Sequence, residues 1–179
     1  MKSIPIIARR LIFFLSLAGL FVSLYLLIVY TSGKPIVCGP LHGCDTVRSS
    51  QWARAFGIPT PAFGVLFYAI LALVTSIRTI SPTLYPKLAR IGVLLLGVAG
   101  LTESVALTAI EAFVLYAYCT WCVASAIIAT LIFFMCWFDK EWDETDASIS
   151  LRELKIQFIA FAIFVLAGGS AIILLTRAA

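Results

Sequence analysis

The chain has 179 residues, 62% of them hydrophobic and 12% charged, with a mean hydropathy of +1.07. A soluble globule carries about a quarter of its residues as charges, so composition excludes an ordinary water-soluble domain and leaves a multi-pass membrane protein. The formal net charge of +4 does not point to nucleic acid, because the 13 basic residues lie at the ends of apolar runs, where they orient a membrane protein.

Crossing ~30 Å of hydrocarbon takes about 20 mostly apolar residues, and five runs qualify, which predicts an all-α integral membrane fold. The first spans about residues 11–30. It is too long for a cleaved signal peptide and lacks a small-residue cleavage site, so it is expected to remain as a span. An outer loop, 31–60, leads to the second span, 61–77, which begins at Pro61 because Pro59 and Pro61 suit the start of a helix better than its interior. The third, 91–114, carries Glu103 and Glu111. Residues 112–138 contain no charge, glycine or proline, so the turn before the fourth span, 119–138, is placed near Tyr116 to Tyr118 on length alone. An acidic loop, 139–155, precedes a fifth span at 156–176.

Five spans put the termini on opposite sides. With the N-terminus cytoplasmic, the inner side holds Lys2, Arg9, Arg10, Arg78, Lys87, Arg90, Lys140, Arg152 and Lys155, and the outer side only Lys34, Arg48, Arg54 and Arg177. The positive-inside rule therefore predicts N-in, C-out, since it weighs Lys and Arg rather than net charge.

Five cysteines occur, Cys38, Cys44, Cys119, Cys122 and Cys136. Span counting brings the Cys38/Cys44 loop and the start of the fourth span to one membrane face, whichever way the whole is inserted. Cys119-Thr-Trp-Cys122 is a C-x-x-C at a predicted helix start. One turn puts both sulfurs on one face, and the N–H groups left unpaired at that end favour a thiolate. Cys122 lies one turn deeper, where a redox pair would meet a lipid-soluble electron carrier. Cys38-Gly-Pro-Leu-His-Gly-Cys44 is a flexible loop that closes a short disulfide or swings between partners. On spacing alone two readings stand, a two-stage thiol relay and the structural staples of an oxidising compartment. A zinc site at Cys38, His42 and Cys44 lacks an obvious fourth ligand, so no metal is expected and His42 reads as a solvated loop residue. Cys136 lies 14 residues beyond Cys122, about 21 Å at ~1.5 Å per residue, and is expected to be a bystander near the inner surface.

Several ordered motifs carry a resemblance: Gly43-Cys44-Asp45, Ser49-Ser50-Gln51-Trp52-Ala53, Phe56-Gly57-Ile58-Pro59, Phe63-Gly64-Val65-Leu66-Phe67-Tyr68, and Phe113-Val114-Leu115-Tyr116-Ala117-Tyr118-Cys119-Thr120-Trp121-Cys122. Together they resemble the vitamin K epoxide reductase family over roughly residues 10–138. The resemblance implies a four-helix bundle around a quinone, whether menaquinone, ubiquinone or a relative. Cys122 would then reduce the quinone, Cys119 would share its disulfide, Cys44 would exchange with Cys119, and Cys38 would take electrons from a thioredoxin-like protein. It also implies Ser50, Thr60, Phe63 and Phe67 as quinone contacts beside Cys122, and a capping helix over 45–56 with Asp45 as N-cap and Trp52 and Phe56 as a lid. Thr60 and Ala126 stand where vertebrate members have an asparagine and a tyrosine. The resemblance is therefore closer to the microbial branch, which oxidises protein thiols, than to epoxide reduction proper. Many of those members continue into a fused thioredoxin-like domain; with this chain running to Ala179, the thiol donor is expected to be a separate protein, working with the membrane quinone pool at the extracytoplasmic face of the cell membrane. A DsbB-type oxidase is disfavoured, because there the C-x-x-C comes first in the chain, and a structural or metal-binding membrane protein is the remaining alternative. Glu103 serves either proton uptake or helix packing, and Glu111 is expected at the interface, where a carboxylate is cheap.

Overall fold

The computed structural model describes residues 4–80, 86–138, 151–168, 170, 171 and 174. The long apolar runs become helices because, in hydrocarbon, a segment must satisfy its own backbone N–H and C=O groups. Helix α1 (Ile4–Ser32) stops at Gly33, whose φ of +68° is the left-handed conformation that ends helices without a Cβ penalty. An extended stretch then leads to the short helix α2 (Cys44–Ser49), a 3-10 turn (Gln51–Ala53), and a small antiparallel hairpin of β1 (Arg54–Ala55) and β2 (Ile58–Pro59). Helix α3 (Thr60–Ile80) has Pro61 in its first turn and α4 (Pro86–Ile110) begins on a proline, positions where the missing N–H costs nothing. Helix α4 widens into a π turn, Glu111–Leu115, before α5 (Thr120–Phe138). Helix α6 (Leu151–Ile163) continues as a π turn to Gly168.

Helices α1, α3, α4 and α5 each contain a stretch long and apolar enough to cross a membrane, and a shorter apolar stretch, Ile159–Gly168, lies in α6 and its π turn. The expected acidic loop falls outside the described residues as far as residue 150, and so does part of the expected fifth span beyond Gly168.

The capping helix expected over 45–56 is divided. Gly43 occupies the N-cap position without a side-chain hydrogen bond, and Asp45 sits in the first turn, paired with Arg48 at 3.4 Å. The helix ends where Ser50 turns extended, its N–H and hydroxyl both donating to the Val47 carbonyl. Positive φ at Phe56 (54°) and Gly57 (82°) then folds the remainder into the hairpin.

Helix α1 packs chiefly against α3 and α5, while α4 packs on α5 and more lightly on α3. The α1/α3 seam is close because Gly19 leaves space for the Tyr68 ring, which a Cβ there would strike. Tyr68 is buried and donates its hydroxyl to the Ser125 carbonyl at 2.9 Å, tying α3 to α5. One buried cluster joins Val22, Tyr25, Leu26 and Val29 of α1 to Ile36, Cys44, Val47 and Cys119. A second holds Ile12, Tyr68, Leu71, Val93, Ile132 and Cys136. Leu66, Leu73, Leu95, Val105, Ile127 and Leu131 face outward. Apolar faces of that extent suit a lipid surround rather than water.

Candidate active site

The loop before Cys38 is fixed by its backbone. Val37 donates its N–H to the Tyr25 hydroxyl at 3.0 Å, and its carbonyl accepts from Trp121 Nε1 at 2.8 Å. The Tyr25 and Trp121 rings meet at a tilt of 51° with centroids 4.8 Å apart, so one aromatic pair from α1 and α5 holds both polar groups of the residue preceding Cys38. Cys38 and Cys44 form a disulfide with Cα atoms 5.8 Å apart. Cys44 is fully buried and Cys38 half-buried, with its Sγ 4.0 Å from Thr120 Oγ1. Between them Gly43 donates to the Tyr118 carbonyl at 3.1 Å, and a Cβ there would fall within 2.6 Å of that oxygen. Glycine is what lets the loop lie this close to the strand of chain before α5.

Cys119 precedes helix α5 rather than beginning it. Its carbonyl accepts from Val123, which makes it the N-cap, and its sulfur takes the N–H groups of Trp121 and Cys122. The Cys119 thiol is held below its ordinary range, first by a hydrogen bond with the Cys122 thiol and then by those N–H groups, against burial. Cys119 is fully buried in the cluster that contains Cys44, and Cys38 and Cys122 pack against that cluster. The four cysteines are thus gathered at one end of the bundle, the loop pair as a disulfide and the C-x-x-C as two thiols. Cys136 lies apart, buried among Ile12, Leu71 and Ile132.

Below Cys122, α1, α3, α4 and α5 enclose a cavity of about 870 Å³, counting its mouth. Its lining is mostly apolar, with polar points that include Tyr30, Thr60, Glu103, Glu111, Cys122 and Ser125. Thr60, Phe67, Cys122 and Ala126 border it. Ser50 and Phe63 do not: the Ser50 hydroxyl donates to Val47 O at 2.7 Å to end α2, and Phe63 is exposed on the outer side of α3. Of the two expected lid residues, Trp52 borders the cavity, whereas Phe56 is fully exposed at the hairpin tip. The Thr60 hydroxyl donates to the Trp52 carbonyl at 3.0 Å, fastening this cover to α3.

Glu111 departs furthest from expectation. It is buried within the protein at 3% exposure, its Oε2 accepts the Cys119 N–H at 3.3 Å, and its carboxyl lies beside the Cys122 thiol, which borders the same cavity. The available signal was its position, a carboxylate eight residues before a C-x-x-C and inside an apolar run. Among the described residues no three His, Cys, Asp or Glu side chains cluster as a metal site would require.

A sequence model of the vitamin K epoxide reductase family matches residues 10–137, the whole of this cysteine-and-cavity unit. The chain belongs to the vitamin K epoxide reductase family. No curated protein matches it. Family membership makes it a membrane oxidoreductase, in a family whose members use quinones. The mostly apolar lining of the cavity fits a group of that kind, and two of its glycines are close-packing positions. A Cβ at Gly100 would strike the Phe67 ring, and one at Gly64 would come within 2.6 Å of the Ser23 hydroxyl.

Proposed function

We propose that this member of the vitamin K epoxide reductase family is a membrane thiol oxidase, which makes disulfides in a separate thioredoxin-like partner and delivers the electrons to a membrane quinone. The supporting observation is the gathering of the two cysteine pairs at one end of the bundle, with Cys38 half-buried, Cys44 and Cys119 in one buried cluster, and Cys122 on the cavity wall. In this reading a partner thiolate attacks Cys38, the loop disulfide opens, and Cys44 leaves as a thiolate. The partner's second thiolate resolves the mixed disulfide and frees Cys38. Cys44 then attacks Cys119 of the oxidised C-x-x-C, expelling Cys122, and Cys38 attacks Cys44 to reclose the loop disulfide, which leaves Cys119 and Cys122 as thiols. Each exchange needs only a thiolate aligned with a disulfide. A bound quinone supplies an acceptor for two electrons and two protons. Cys122, on the cavity wall, would face it, and Thr60, Phe67 and Trp52, which line the same cavity, would hold it and exclude water.

The same reading sets the N-terminus in the cytoplasm, a fifth span through α6, and the cysteines at the extracytoplasmic face of the cell membrane. It is tested by mixing purified protein with a reduced dithiol partner and a short-chain quinone, and following quinol by absorbance. Cys122→Ser should abolish quinol formation, and a variant that still turns over as wild type would sink the assignment.

A further inference from the structure

Glu111 has no part in the relay described above, yet it touches both members of the C-x-x-C. It lies in the π turn that ends α4, on the cavity side, where the widened backbone lets one residue meet Cys119 N–H and the Cys122 thiol together. Its own carbonyl accepts from Tyr116 and Ala117, the latter at 3.1 Å, which fixes the turn. A carboxylate in hydrocarbon is costly and persists where it is used. The structure supplies it with a sulfur-bound proton on one side and the cavity on the other.

We propose that Glu111 is the proton carrier of the quinone-reducing step, taking the Cys122 thiol proton and handing it into the cavity. This rests on the thiol oxidase reading. Per turnover the two S–H bonds of Cys119 and Cys122 break and one S–S bond forms. Two electrons and two protons reach the quinone, which becomes quinol. The Cys122 proton travels through Glu111, the Cys119 proton leaves to water and is replaced from it, and Glu111 ends as the carboxylate it began. The groups facing Glu111 are Tyr30 from α1 and Cys119 and Cys122 from the start of α5, with Arg48 of α2 acting on Tyr30.

The test uses Glu111→Gln, Glu111→Asp and, as a control, Tyr30→Phe, each reduced and mixed in a single turnover with menadione. General acid–base groups are worth about 10²- to 10⁴-fold, so E111Q should slow quinol formation at least ~100-fold. The wild-type rate should fall as pH drops, because a protonated carboxyl accepts nothing; E111Q should lose that acid limb, E111D should restore part of the rate, and Y30F should keep the limb. Opening of the Cys38–Cys44 disulfide by a small dithiol should be unchanged in E111Q. Without quinone, thiolate absorbance should show Cys119 titrating at lower pH in E111Q, since the negative charge beside it is gone. A wild-type rate in E111Q overturns the proposal, and so does a wild-type pH profile with no acid limb, a measurement that stands even if the variants fail to fold. If no quinone is reduced by wild type but the Cys119 titration still moves in E111Q, the oxidase reading is what has failed. In that event the proton-carrier role falls with it, and the contact between Glu111 and the thiol pair stands.

Discussion

At the scale of single residues, the site is set by groups that flank the sulfurs rather than by the sulfurs alone. Cys119 is acidified by its place at a helix N-cap and by the neighbouring Cys122 thiol. Its lowered value means that the thiolate persists above that value and is lost as pH falls through it. Removing the thiol in Cys122→Ala should therefore move the Cys119 titration, read by thiolate absorbance, to higher pH; a titration that stays in place would remove the Cys122 thiol as the main cause. Gly43 is the second case. A Cβ there would meet the Tyr118 carbonyl at 2.6 Å and its N at 2.7 Å, both backbone atoms with little freedom to move. Overpacking of that kind costs about 1–3 kcal/mol. Gly43→Ala should lower the thermal midpoint and slow exchange between the two cysteine pairs, measured by trapping reduced Cys119. The cysteines were legible in the sequence because type and spacing name them. The role of Gly43 was not, since nothing in Gly-Cys-Asp announces which backbone will lie against it.

At the scale of elements, the turn between α4 and α5 shows what length can and cannot tell. Residues 112–138 hold no helix breaker, and counting places a turn near Tyr116. The structure makes it with a π turn and with Tyr116 itself in the left-handed region at φ 49°, a strained conformation for a non-glycine residue. That choice moves Cys119 off the helix to its N-cap and rotates Glu111 inward, two consequences that hydropathy cannot report. The capping helix expected over 45–56 ends early for a local reason: Ser50 turns extended, and Phe56 takes a positive φ against Gly57, the glycine just past that stretch that closes the hairpin. On α4, Gly100 leaves its space to the Phe67 ring. Gly100→Ala should push that ring into the cavity and raise KM for a short-chain quinone several-fold while the dithiol step keeps its rate. An unchanged KM would show that Phe67 does not shape the quinone site.

At the scale of the whole molecule, the four-helix unit and α6 differ in how they are held. Helices α1, α3, α4 and α5 share two buried clusters and the cavity, and the family match covers residues 10–137 and stops short of α6. Helix α6 meets the bundle through α3 and a shallow apolar groove that Phe14 and Leu17 share with Ile156, Ile159 and Ala160. The sequence made the bundle legible through its hydrophobic runs and left the cavity invisible, because a cavity depends on which faces meet. Insertion is a separate matter, set by the distribution of basic residues rather than by packing. Because the site lies at one end of the bundle, its compartment follows from that distribution, and Cys38 is the natural probe: it is the half-exposed member of its pair. After mild reduction of intact cells, a membrane-impermeant maleimide should label Cys38 in a Cys44→Ser background at the rate of a known outer thiol. Labelling that appears only after lysis would place the relay in the cytoplasm and invert every span, leaving the chemistry of the cavity as it is but requiring a partner oxidised inside the cell.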